Sequence, residues 1–92
     1  MKILFLDSTH HYLRDELSKN GFICHEEFSK TKKQIEEIID NYDGIIVRSR
    51  LKIDKKFIDF GKNLKFIARA GSGLENIDVK YAKQKKIKCI NA

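Results

Sequence analysis

Short apolar runs recur five times along this chain, and the stretches between them carry their apolar residues at helical spacing. The runs are Lys2–Leu6, Phe22–His25, Gly44–Val47, Lys65–Ala68 and Ile87–Ile90. Gly44–Val47 is rich in β-branched residues without a polar alternation, the pattern of a strand buried on both faces. Between the runs, Tyr12, Leu13 and Leu17 fall on one helical face ahead of Asn20-Gly21, a helix stop. Thr31 with Gln34 forms a capping box, followed by a stripe of Ile35, Ile38, Ile39 and Tyr42. Asp54 predicts the cap of a helix carrying Phe57, Ile58 and Phe60 and closed by Gly61, and Asp78 the cap of one carrying Val79, Tyr81 and Ala82. The spacing predicts helices of about 8–12 residues.

Strands alternating with helices require right-handed crossovers and therefore a parallel sheet. The economical arrangement is an α/β, flavodoxin-like, doubly wound sheet of five strands in the order 2-1-3-4-5. A complete domain of that type ends in a fifth helix beside the first, and that helix is missing here. With 92 residues the chain fits one domain and one thin core. The third to fifth strands then offer Ile45, Ile46, Val47, Phe66, Ile67, Ala68, Ile87, Cys89 and Ile90 to solvent, so a homodimer covering that face is expected.

Composition narrows the function classes. The net charge is +6, but fifteen of the nineteen basic residues are lysines scattered over the helical stretches. Solvated lysines act on solubility, and no arginine-and-aromatic surface or nucleic-acid motif accompanies them, so nucleic acid is not an expected partner. No run approaches the roughly 18 apolar residues of a membrane span. The apolar run near the N-terminus stops at Asp7, too short for a signal peptide, and the cysteines are two, Cys24 and Cys89. A reduced cytoplasmic location is expected. His10, His11 and His25 have no metal-ligand spacing with those cysteines, so no metal site is expected.

In a doubly wound sheet the ligand lies beyond the carboxyl ends of the strands. Three segments reach that edge, 7–9, 48–51 and 69–78. Strands three and four are neighbours in the expected order, so Arg48 and Arg69 leave adjacent strand ends, where two guanidiniums call for an anion between them. Gly71 and Gly73 allow positive φ, so successive N–H groups can converge into an anion-holding nest. Ser49 lies on the same edge. The triplet Gly71-Ser72-Gly73 is not a dinucleotide fingerprint, because the third glycine would fall at Asn76. A receiver domain would need an aspartate where Val47-Arg48 stand, and a flavodoxin a glycine-bearing loop where Asp7-Ser8-Thr9 stand.

Val47-Arg48-Ser49, together with Arg69-Ala70-Gly71-Ser72-Gly73-Leu74-Glu75-Asn76-Ile77-Asp78, resembles the NAD-dependent D-2-hydroxyacid dehydrogenases. The similarity runs through the whole chain, and 65–78 is its specific part. The resemblance implies that residues 1–92 are the N-terminal part of a substrate-binding domain. Backbone N–H groups at Ser72 and Gly73 would hold the substrate carboxylate, Ser72 would lie near the nicotinamide, and Asn76 would stabilise the loop. Arg48 and Arg69 match positions facing the phosphate of 3-phosphoglycerate in the branch that opens serine biosynthesis. Ser72 replaces a commoner threonine or small residue, and Glu75 a commoner aspartate. The family's Rossmann domain, and its catalytic arginine, glutamate and histidine, lie beyond the residues matched. The resemblance thus implies an NAD-linked oxidoreductase whose cofactor is not bound by these 92 residues alone, and which they alone do not make active. A reading of a different class is a free-standing structural module that dimerises and whose anion loop is vestigial.

Overall fold

The computed structural model describes residues 1–9, 11–70 and 74–91. Strands β1 (Lys2–Phe5), β2 (Ile23–Glu26), β3 (Gly44–Val47), β4 (Phe66–Arg69) and β5 (Lys88–Asn91) alternate with helices α1 (His11–Lys19), α2 (Lys32–Ile38), α3 (Lys55–Phe60) and α4 (Val79–Gln84). A 3-10 turn, Ile39–Asn41, continues α2. All pairings are parallel and the strand order is β2-β1-β3-β4-β5, the order expected from the alternation. Helix α1, with 9 residues, has the expected length, while α2 to α4 are shorter than the apolar spacing suggested, with 7, 6 and 6 residues. Each has to cross only strands four residues long, so two turns suffice.

The caps form as their residue types require. Thr31 accepts from the Gln34 N–H while the Gln34 side chain accepts from the Thr31 N–H. Asp54 accepts from Phe57 N–H at 3.0 Å and Asp78 from Tyr81 N–H at 3.1 Å. The second oxygen of Asp54 takes the Lys32 ammonium at 2.7 Å, fastening the start of α2 to the start of α3. Between α3 and α4, the Tyr81 hydroxyl donates to Asp59, and Lys55 and Lys85 lie over its ring at 5.8 and 5.5 Å.

Because side chains alternate along each strand, the sheet divides its apolar residues between two faces. Leu4, Ile45, Val47, Ile67 and Ile87 join Ile35, Ile39, Ile53, Phe57 and Ala82 in the larger cluster, under α2 to α4. Ile3, Phe5 and Ile46 form the smaller one with Leu17, Phe22, Phe66 and Ala68, under α1. Gly44 faces its register partner Phe66, whose ring would lie 2.2 Å from a Cβ there, so any side chain at 44 would displace it.

The expectation that all nine apolar residues of β3 to β5 face solvent is therefore corrected. Ile45, Val47 and Ile67 are fully buried and Ile87 nearly so, because the pleat turns them under α2 to α4. Ile46 is buried as well, at 4% beneath α1, so the open face carries Phe66, Ala68 and Ile90, which with Ile46 and with Leu13 and Leu17 of α1 line an apolar groove of about 260 Å³. Phe60, the third large apolar residue of α3, is 42% exposed, whereas Phe57 and Ile58 are buried.

Candidate functional site

At the carboxyl edge of β3 and β4, an open cleft of about 590 Å³ is lined by Ser49, Arg50, Lys52, Arg69, Glu75 and Asn76. Three of these six side chains are cationic and one is acidic, so the cleft favours an anionic occupant. Its walls are two loop segments stitched together. Ile53 and Ile77 form a parallel bridge, with Ile53 N–H donating to the Asn76 carbonyl at 2.8 Å and Asp78 N–H to the Ile53 carbonyl at 2.9 Å.

Asn76 organises this junction with its side chain. Its amide nitrogen donates to the carbonyls of Arg48 at 2.6 Å and Leu51 at 2.9 Å. Its amide oxygen accepts from Nε of Arg69 at 2.8 Å. One residue thus satisfies two main-chain acceptors of the 48–51 segment and orients the guanidinium at the end of β4. An asparagine can do this because it carries both donors and an acceptor.

The two arginines do not stand as an equivalent pair. Arg69 is the register partner of Val47, so Arg48 lies one step further along the pleat. Arg69 reaches the cleft, whereas the exposed side chain of Arg48 does not line it. Arg48 contributes main chain instead, its carbonyl to Asn76 and its N–H to the carboxylate of Asp7 at the end of β1. Ser49 lines the cleft as expected from its place on the edge. Gly71, Ser72 and Gly73, the expected nest, lie outside the described residues.

Arg50, Lys52 and Glu75 line the cleft but were not singled out from the sequence as site residues. Arg50 and Lys52 stand two positions apart in the loop that follows β3, and that pair of cations at the strand's carboxyl end was the available signal. Arg50 spends its donors on main chain, with Nε to the Leu6 carbonyl at 2.9 Å and the two terminal nitrogens to Lys30 at 2.7 Å and Glu27 at 3.0 Å.

Between β1 and α1 the sequence Asp7-Ser8-Thr9-His10 carries no glycine. Among the described residues no group of three or more His, Cys, Asp or Glu side chains could hold a metal ion. Nor is any described helix long and apolar enough to cross a membrane.

Residues 3–92 match the family model of the D-isomer specific 2-hydroxyacid dehydrogenase catalytic domain. The chain is 35% identical over all 92 residues to D-3-phosphoglycerate dehydrogenase of Archaeoglobus fulgidus, of which it covers 18%. Over 60 residues, 65% of this chain and 20% of the relative, it is 52% identical to hydroxypyruvate reductase of Thermotoga maritima. Among solved structures, NAD+-bound 3-phosphoglycerate dehydrogenase of Entamoeba histolytica superposes on 99% of the chain with a TM-score of 0.83 and 36% identity, the match spanning 32% of that structure. The chain thus spans about a fifth of the length of these curated relatives.

Proposed function

Since the chain belongs to the D-isomer specific 2-hydroxyacid dehydrogenases, we propose that it forms the N-terminal part of the substrate-binding domain of such an enzyme and orients 3-phosphoglycerate for NAD-linked oxidation in serine biosynthesis. The observation that carries this reading is the cationic cleft at the carboxyl edge of β3 and β4, built around Asn76 and Arg69. In it, the substrate carboxylate occupies the backbone nest of Gly71, Ser72 and Gly73, with Ser72 toward the nicotinamide. Arg69 and Ser49 serve the phosphate end, and Arg48, matched to the phosphate from the sequence, contributes its main chain to the cleft wall. Two relatives that carry the phosphoglycerate name support the choice of substrate. The contribution of these residues is proximity and orientation of a small anion, in a cytoplasmic enzyme. The cofactor is NAD, held by a Rossmann domain outside residues 1–92, and the acid-base and hydride chemistry belongs there.

The test is the full-length enzyme with 3-phosphoglycerate, D-glycerate and D-lactate, followed by NADH absorbance. The phosphorylated acid should give the highest kcat/KM. Arg69→Ala should raise KM for it about ten- to hundredfold, the loss of one charge-assisted contact, and raise that for D-glycerate less. Equal losses on both acids would make Arg69 structural, and a preference for D-glycerate in the wild-type enzyme would replace the substrate. The 92-residue chain alone should form no NADH.

A second reading rests on the apolar groove between α1 and the open sheet face. Parallel sheets are stable when both faces are covered. In this reading the 92-residue chain is a homodimerising module in which a second copy covers the groove, and the anion loop is vestigial.

A further inference from the structure

The 48–51 segment leaves β3 and forms one wall of the cleft, yet it has no secondary structure of its own. Asn76 holds it from the β4 side. From the other side it is held by Asp7, 41 positions from Arg48, and by the segment's own Arg50, whose partners lie 20, 23 and 44 positions away. One Asp7 oxygen accepts the Arg48 N–H and the other lies 3.6 Å from Nε of Arg50. Arg50 in turn donates to carbonyls of Leu6, at the end of β1, and of Glu27 and Lys30, in the loop after β2. Both side chains are largely shielded, Asp7 at 12% and Arg50 at 28% exposure.

A guanidinium has five N–H donors, and here three go to main-chain carbonyls of two different loops. Such a group is oriented by the protein rather than held in reserve for a ligand. We propose that Asp7 and Arg50 are positioning residues that clamp the Arg48–Ser49 wall of the cleft to the ends of β1 and β2, so that Ser49 is presented from a rigid edge. As far as it concerns a ligand, this rests on the substrate-binding reading above. The chemistry gives the clamp an unusual signature. Asp7 is a carboxylate near an anion cleft, so by charge alone its removal would strengthen anion binding. As a clamp, its removal weakens it.

The experiment uses the 92-residue chain, with amide hydrogen exchange by NMR and titration with 3-phosphoglycerate read at Ser49 and Asn76. Asp7→Asn and Arg50→Ala should each speed exchange of the Arg48 amide at least tenfold relative to the amides of β1 and β3. Both should weaken the probe severalfold, and the double variant should be no weaker than Arg50→Ala. Arg50→Lys should not restore binding, since an ammonium cannot span three carbonyls in the guanidinium's fork, and it replaces Arg50→Ala if that variant does not fold. Tighter binding by Asp7→Asn, or an Arg48 amide no faster than its neighbours, overturns the clamp. A wild-type chain whose spectrum does not respond to the probe, with the exchange pattern as expected, removes the substrate reading and leaves the clamp in place.

Discussion

At the scale of single residues, what was legible in the sequence was what acts locally. Thr31, Asp54 and Asp78 could be read as caps because each bonds an N–H three residues on. Arg50 could not, since its partners lie 20, 23 and 44 positions away and depend on the strand order. Asp43 belongs to the same class. Its carboxylate accepts the Lys2 N–H at 2.8 Å and lies 3.7 Å from Lys65, joining the amino ends of β1, β3 and β4. The Lys2 N–H first, and Lys65 after it, hold the Asp43 carboxyl below the usual carboxylate range, and the ammonium of Lys32 followed by the Phe57 N–H does the same at Asp54. A carboxyl with a lowered folded pKa contributes stability that is present above its unfolded pKa of about 4 and is lost as pH falls through the folded value. Urea midpoints should therefore fall as the pH drops below about 5, and the Asp43→Asn/Asp54→Asn variant should show a shallower acid limb. The same slope in parent and variant would assign the acid sensitivity to other carboxylates.

Between residues and the whole sheet stand the helix ends, where two sequences meet one geometric demand. After α1, Phe22 N–H reaches the Leu17 carbonyl and Gly21 N–H the Ser18 carbonyl, both at 3.1 Å. After α4, Ile87 N–H reaches Ala82 at 2.9 Å and Lys86 N–H reaches Lys83 at 3.0 Å. Both are Schellman closures, and both place their linking residue at positive φ, 88° for Gly21 and 62° for Lys86. The first stop was legible because glycine marks it. The second was not, because a lysine occupies the position and its place is set by Ile87 entering the core. A left-handed conformation costs an L-residue about 1–2 kcal/mol, and glycine returns part of that as lost chain entropy. Lys86→Gly should therefore stabilise the chain by about 0.5–1 kcal/mol in chemical unfolding. Lys83 keeps a positive charge in the last turn of α4, so little helix-dipole energy is lost. A destabilised variant would mean that the Lys86 side chain contributes more than its backbone strain removes.

For the molecule as a whole, strand order could be read from alternation, but the distribution of apolar surface could not be read from composition. Counting apolar residues on β3 to β5 overstates what is open, because the pleat sends Ile45, Val47 and Ile67 under three helices. What is left is smaller and sharper in outline: Phe66, Ala68 and Ile90 beside Leu13 and Leu17, with Ile90 at 41% and Leu13 at 36% exposure. The asymmetry follows from topology, since α1 alone serves one face and α2 to α4 serve the other. Each fully buried Leu, Ile or Phe is worth about 1.5–3 kcal/mol, so covering even two of these residues matters against a small domain's total stability. The 92-residue chain should accordingly self-associate, with the groove at the interface, and its apparent mass by light scattering should fall toward a monomer on dilution. Leu13→Asp, on the exposed flank of the groove, should shift that transition to at least tenfold higher concentration while leaving the far-ultraviolet circular dichroism unchanged. A wild-type chain that stays monomeric at high micromolar concentration would mean that one helix shields the face well enough, and the dimerising module would then have no interface.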